Sequence, residues 1–229
     1  RCWDLALCLD GKVNTDINEA NVPVANLLRA LPGLANSATR PPVPKFLPSL
    51  LHDLKRCWWE NLPAGATKIS FAVNGLDAGG WMPPKGERLA ILSPFVSGNA
   101  LKMLSKGYSD PSLCQLIARA DELDCIKPEI RQLFEIKTLD ERATEYEEND
   151  RDEASSADLD GLHAKAYLVE RGSRLHIHLG SANATMAALV PTRSGRTQNV
   201  EIMATLDGPK TRMGTIEDVL FSDGFRRLL

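Results

Sequence analysis

The chain has 229 residues, 43% of them apolar, and its 27 Lys and Arg against 30 Asp and Glu leave a formal net charge of −3. That composition supports a globular core, and no apolar run is long enough to cross a bilayer. The five cysteines (Cys2, Cys8, Cys57, Cys114, Cys125) are odd in number and lack Cys-x-x-Cys spacing, which argues against a zinc site or disulfide framework and for reduced, cytoplasmic thiols.

In chain order, Cys2 to Leu9 reads as an apolar strand and Val24 to Leu31 as a helix. Ala38 to Pro48, rich in proline, reads as a linker or covering loop. Phe46 to Glu60 follows as an amphipathic helix, on which Trp58 and Trp59 share helical spacing with Leu50, Leu51 and Leu54 and so belong to a core. Thr67 to Asn74 alternates as a strand, and Asp77 to Gly86 is a loop. Arg88 to Phe95 reads as a buried strand with a Pro-marked turn, Ser97 to Leu104 as an amphipathic helix, and Leu133 to Thr138 as one more strand.

Asp140 to Asp160 holds ten acids and two bases, a net of −8, so the rest of the chain carries about +5. Poor in apolar residues, this segment is expected to be a mobile insertion of about 140–160 directly before the most informative strand. Its charge also suits a gate that occupies a basic groove in place of a polyanion.

From Leu162 to Glu170 apolar residues dominate, and an extended chain sets His163, Lys165 and Tyr167 on one face and Leu162, Ala164, Ala166 and Leu168 on the other. After the turn Arg171-Gly172-Ser173, a strand from Arg174 to Leu179 separates Leu175, Ile177 and Leu179 from His176 and His178. Gly180-Ser181-Ala182-Asn183 then leads into a helix-like run from Met186 to Val190, where backbone N–H groups collect at a strand end and suit an anion. The polar loop Pro191 to Thr197 precedes a third strand, Asn199 to Leu206, which sets Asn199, Glu201 and Met203 on one face; Thr215 to Leu220 is a last helix. A carboxylate on one imidazole nitrogen fixes the tautomer and leaves the other nitrogen free to attack. These residues suit phosphoryl transfer through a covalent phosphohistidine: His163 as nucleophile, Lys165 and Asn183 on the non-bridging oxygens, Glu201 orienting His163. Positioning and fixed positive charge supply most of the gain in such chemistry, so it demands no metal.

His163-x-Lys165-x-x-x-x-Glu170 followed by Gly180-Ser181-x-Asn183 resembles the HKD signature of the phospholipase D superfamily, and residues 88 to 206 resemble one repeat of it. The family usually has Asp where Glu170 stands, and the spacer to Gly180 is a few residues longer here. The resemblance implies an α/β fold, a phospholipase D-like mixed β-sheet flanked by helices on both faces, with residues 1–84 ending a preceding repeat and 85–229 forming the domain that carries the motif. It gives His163 the role of nucleophile or general acid, Lys165 and Asn183 the phosphate, Ser181 the turn hydroxyl, Glu201 the support of the histidine, and Glu170 a structural role, with no cofactor and no metal. Arg193, Arg196 and His178 are further candidate phosphate contacts, as are Lys210 and Arg212.

The family pairs two motifs, one histidine attacking and the other protonating the leaving group, whereas none of His52, His176 and His178 has a Lys two positions later. The missing partner is expected from chain upstream of Arg1, where the sequence opens inside an apolar run without a Met, or else from a homodimer partner. The function expected is a metal-independent phosphodiesterase on DNA or RNA, a nuclease of restriction or defence type. The alternatives are a phospholipid hydrolase or transferase, and a binding module that keeps the fold without catalysis.

Overall fold

The structure, a computed structural model, describes residues 2–36, 38, 42–77, 80–138 and 161–222. The acidic segment expected at 140–160 lies outside the described residues.

The opening run is not one strand. Only Cys2–Trp3 (β1) pairs, parallel to Gly161–Leu162. The Asp4 carboxylate accepts from the Leu5 N–H at 2.9 Å, a local bond that competes with a ladder, and Asp10–Val13 (β2) starts a separate pairing. Val22–Leu34 (α1) carries a proline in its first turn, where the missing N–H costs nothing. Leu47–Arg56 (α2) stops short of the expected Glu60, because Cys57–Glu60 (β3) pairs antiparallel with β2. Bulky Trp58 and Trp59 favour the pleated conformation. Asn21, fully buried, fixes this change of structure: its Nδ2 donates to the carbonyls of Leu54 and Cys57, both at 2.8 Å, and its Oδ1 accepts from the Trp59 indole at 2.7 Å. Trp59 packs edge-on against Phe71, but Trp58 is 46% exposed, so the core assignment fails for Trp58.

The remaining strands are Lys68–Asn74 (β4), Arg88–Leu92 (β5), Cys114–Ile117 (β6), Glu135–Lys137 (β7), Gly161–Leu162 (β8), Ala166–Arg171 (β9), Arg174–Gly180 (β10) and Glu201–Pro209 (β11). Apart from β8, they form one seven-stranded mixed sheet in the order β4-β11-β10-β9-β5-β6-β7. β5, β6 and β7 run parallel, and every other pairing is antiparallel. Parallel neighbours need crossovers. Gly98–Leu104 (α3) makes the first, and Ala120–Asp124 (α4) with Pro128–Arg131 (α5) makes the second. Because β4 bonds along its length to β11, the sheet includes residues on both sides of the boundary expected at 84.

Alternate residues of the central strands face two cores. Leu89, Ile91, Tyr167 and Val169 pack beneath α3, α4 and Met186–Leu189 (α6). Ala90, Leu92, Leu168, Leu175 and Ile177 pack with Met213 of Lys210–Met213 (α7) and with Ile216–Leu220 (α8). Helices thus cover both faces of the sheet. The strand directions place the C-terminal ends of β4, β5, β6 and β10 on one edge, together with the N-terminal ends of β9 and β11. No helix among the described residues is long and apolar enough to cross a membrane.

Candidate functional site

That edge carries His163, Lys165, Ser181, Asn183 and Glu201. The strand expected from Leu162 is interrupted: His163, Ala164 and Lys165 lie between β8 and β9 outside regular pairing, which turns the imidazole outward instead of into a sheet face. Half of the His163 side chain is exposed (51%), and its Nδ1 lies 3.3 Å from Oδ2 of Asp4. The Asp4 carboxyl is held below the usual carboxylate range, first by the Leu5 N–H and then by the bond to His163. Lys165 is buried; its Nζ donates to the His163 carbonyl at 2.6 Å, and its charge reaches Asp4. A cation folded back on the residue before last fixes the backbone that presents His163.

The Gly-Ser turn closes over the ends of β10 and β11. A side chain at Gly180 would collide with the Ile202 carbonyl, so only glycine lets the strands approach this closely. Ser181 continues the ladder by a mixed device, its N–H donating to the Ile202 carbonyl and its Oγ accepting from the Ile202 N–H, both at 3.0 Å. The same hydroxyl donates to Oε2 of buried Glu201, whose Oε1 accepts from Asn199 Nδ2 at 3.0 Å. Gly180 N–H reaches the Lys165 carbonyl at 3.4 Å, which joins this turn to the His163 segment. Beneath it, the buried Tyr167 hydroxyl donates to the Ala182 carbonyl at 3.1 Å. Burial, and secondarily the charge of Glu201, push that phenol's pKa up. Asn183 Oδ1 is buried with no hydrogen-bond partner among the described residues.

Sequence reasoning gave Glu201 the support of His163. In the structure both Glu201 oxygens are engaged by Ser181 and Asn199, and the carboxylate on His163 is Asp4, 159 residues away in the chain. Asp4 carried no sequence signal beyond a lone acid in an apolar run. Ser93 was also missed: fully buried at the end of β5, it donates to the Phe95 carbonyl at 2.7 Å and accepts from the Ala184 N–H at 2.9 Å, clamping the turn after Asn183.

Other candidates lie elsewhere. Glu170 is five residues beyond Lys165 along β9, about 16 Å at strand rise. Its oxygens take the Ile216 N–H (2.8 Å) and Lys210 Nζ (3.4 Å), with Arg88 at 3.9 Å, so it anchors the start of α8. Lys210 and Arg212 sit past the far end of β11, so neither serves a phosphate at this edge. His178 is a core residue, 3% exposed, with Nδ1 2.7 Å from Thr205 Oγ1 and its ring tilted against Trp81; it offers no phosphate contact in this arrangement. Burial, with His176 adding to it, lowers its pKa to about 3. His176 lies 3.5 Å from Asp207. Arg193 and Arg196 are exposed on the loop before β11, whose fold is set by Thr192 bonding the Arg196 carbonyl. His52 is an exposed residue of α2, 3.3 Å from Arg56.

Among the described residues no three His, Cys, Asp or Glu side chains are grouped to hold a metal ion. No protein-family model matches the chain, and no curated protein matches it.

Proposed function

We propose that the protein is a phospholipase D-like phosphodiesterase acting on nucleic acid through a phosphohistidine on His163. The observation that carries this reading is the His163 imidazole, exposed at the strand-end corner, with Asp4 on Nδ1 and Lys165 fixing the peptide behind it. An imidazole held in this way donates its Nδ1 proton to the carboxylate and presents the Nε2 lone pair outward.

The step follows from that placement. Nε2 attacks phosphorus in line with the leaving oxygen; the P–O bond breaks, its electron pair departs on that oxygen, and a second acid protonates it. Asp4 offsets the positive charge that develops on the ring. The ammonium of Lys165 and the amide N–H of Asn183 are assigned to the non-bridging oxygens, which accumulate charge in the transition state. Water, giving a proton to the conjugate base of that second acid, then attacks phosphorus, the P–N bond breaks with its electron pair returning to Nε2, and neutral His163 is restored. The second acid is assigned to a second copy of the motif, as in the family the chain resembles, with a homodimer partner as one source.

Nucleic acid is favoured over lipid because the chain outside 140–160 is net basic. The test is a panel of single-stranded DNA, duplex DNA and lipid vesicles in EDTA, with wild type and His163→Ala. Cleavage of a nucleic acid that disappears in His163→Ala supports the reading. Cleavage of lipid alone, or binding without turnover that the substitution leaves intact, overturns it.

A further inference from the structure

The turn that carries Asn183 has a second side. Ser97 binds it there, its N–H donating to the Ala184 carbonyl at 3.0 Å and its Oγ accepting from the Met186 N–H at 3.2 Å. Between this seam and α5 lies a half-open cavity of about 520 Å³. That is within the range of roughly 300–1,000 Å³ typical of small-molecule sites. The residues that line it have a consistent chemistry. Two of them, Asn99 and Gln198, are residues whose side-chain amides hold both donor and acceptor, Lys127 is a cation, and Met186 and Ile130 are apolar. No carboxylate lines it. Amide side chains read the edge of a nucleobase, apolar walls take its faces, and an ammonium group suits the phosphate beside it.

A second feature sits on the same strand-end edge. Phe95, just after β5, is 41% exposed and carries the guanidinium of Arg119, from beyond β6, at 5.6 Å from its ring centroid. Arg119 also pairs with Asp121 at 2.8 Å, which holds its plane in place. An exposed ring beside a fixed cation is a stacking platform for an unpaired base.

We propose that the cavity is a nucleoside subsite that takes one unpaired base of a single-stranded nucleic acid, with the Phe95–Arg119 pair stacking a further base. This rests on the phosphodiesterase reading and names its substrate class. The amides act on a base edge that a duplex keeps paired, so a duplex enters only after a nucleotide is flipped out.

The test measures equilibrium binding of a fluorescent single-stranded hexamer, of the same hexamer with abasic sites, and of its duplex to the full chain. The expected result is affinity for the base-bearing strand about tenfold or more above the abasic strand. That ratio falls towards one in Asn99→Ala/Gln198→Ala and in Met186→Glu, two independent changes at exposed positions. Equal binding of base-bearing and abasic strands, tighter binding of the duplex, or a ratio that both variants leave intact overturns the assignment. Failure of the underlying reading has a different signature: base-dependent binding that persists while no phosphoryl adduct forms on His163. An adduct with no base dependence removes the cavity assignment alone.

Discussion

Lowering the pH should destabilise this fold earlier than its carboxylates alone would, through His178. The ring is 3% exposed, Nδ1 is committed to Thr205, and Nε2 is buried with no partner among the described residues. Among the described residues, no acceptor lies within hydrogen-bond distance of Nε2 to receive a second N–H. Burial therefore lowers the pKa from an ordinary 6.5 to about 3. A histidine whose folded pKa lies below its unfolded value costs nothing above pH 6.5. As the pH falls from there towards 3, protons bind the unfolded chain and not the folded one, so stability drops by about 1.4 kcal/mol per pH unit. Between pH 7.5 and 4.5 the accumulated loss is about 2–3 kcal/mol, a large share of a marginal stability. Urea denaturation at half-unit steps across that range measures it, in wild type, His178→Phe and His178→Gln. Both variants start less stable at pH 7.5, since Thr205 loses its partner, but their curves should be nearly flat down to about pH 5. Carboxylates with lowered pKa, such as Glu217 beside Arg88 and Asp218 on the Thr215 N–H, act at lower pH and are common to all three proteins. A wild-type slope that both variants reproduce would refute the burial argument.

Glu170→Gln removes the carboxylate from Lys210 and the more distant of two from Arg88, which keeps Glu217, and should cost about 1–2 kcal/mol in urea denaturation. Asn21→Ala removes three buried hydrogen bonds that hold the α2-to-β3 change, and a loss of about 2–4 kcal/mol is expected, read by the same assay. Asp4→Asn should slow attack by His163 about tenfold or more while leaving the thermal midpoint nearly unchanged, because Asp4 is exposed and its bond besides the one to the imidazole is a local one to the Leu5 N–H, which the Asn carbonyl oxygen can keep. A slow-down matched by a large fall in the midpoint would assign Asp4 to the fold instead.

The parts of the fold visible in sequence were those with strict periodicity. The hairpin of β9 and β10, its turn at Gly172 and the alternation of Leu175 and Ile177 against His176 and His178 all follow from period two. The Thr215 start of α8 was legible as well, and it carries a capping box with Asp218. What failed depends on distant partners. Trp58 and Trp59 have helical spacing from the leucines of α2, yet the edge of β2 and the Asn21 side chain pull Cys57–Glu60 into a strand. β6 is a four-residue strand interrupted by the polar Gln115, too short for periodicity to mark. At the site, His163, Lys165, Ser181, Asn183 and Glu201 are near in sequence and fall on one edge because two hairpin-linked strands and their neighbour end there. Asp4 reaches the same place through the β1–β8 pairing, a contact between residues about 160 apart that no local pattern announces.

The central claim is covalent attack by His163, and it is most directly tested with a 4-nitrophenyl phosphodiester of thymidine. The nitrophenolate departs without a proton, so the chain needs no second acid for the first half-reaction. Acid quench within the first turnover, digestion and mass spectrometry should find a phosphoryl adduct on the peptide bearing His163, absent from His163→Asn and diminished in Asp4→Asn. Release of nitrophenol with no adduct on His163, or release that persists in His163→Asn, would contradict it.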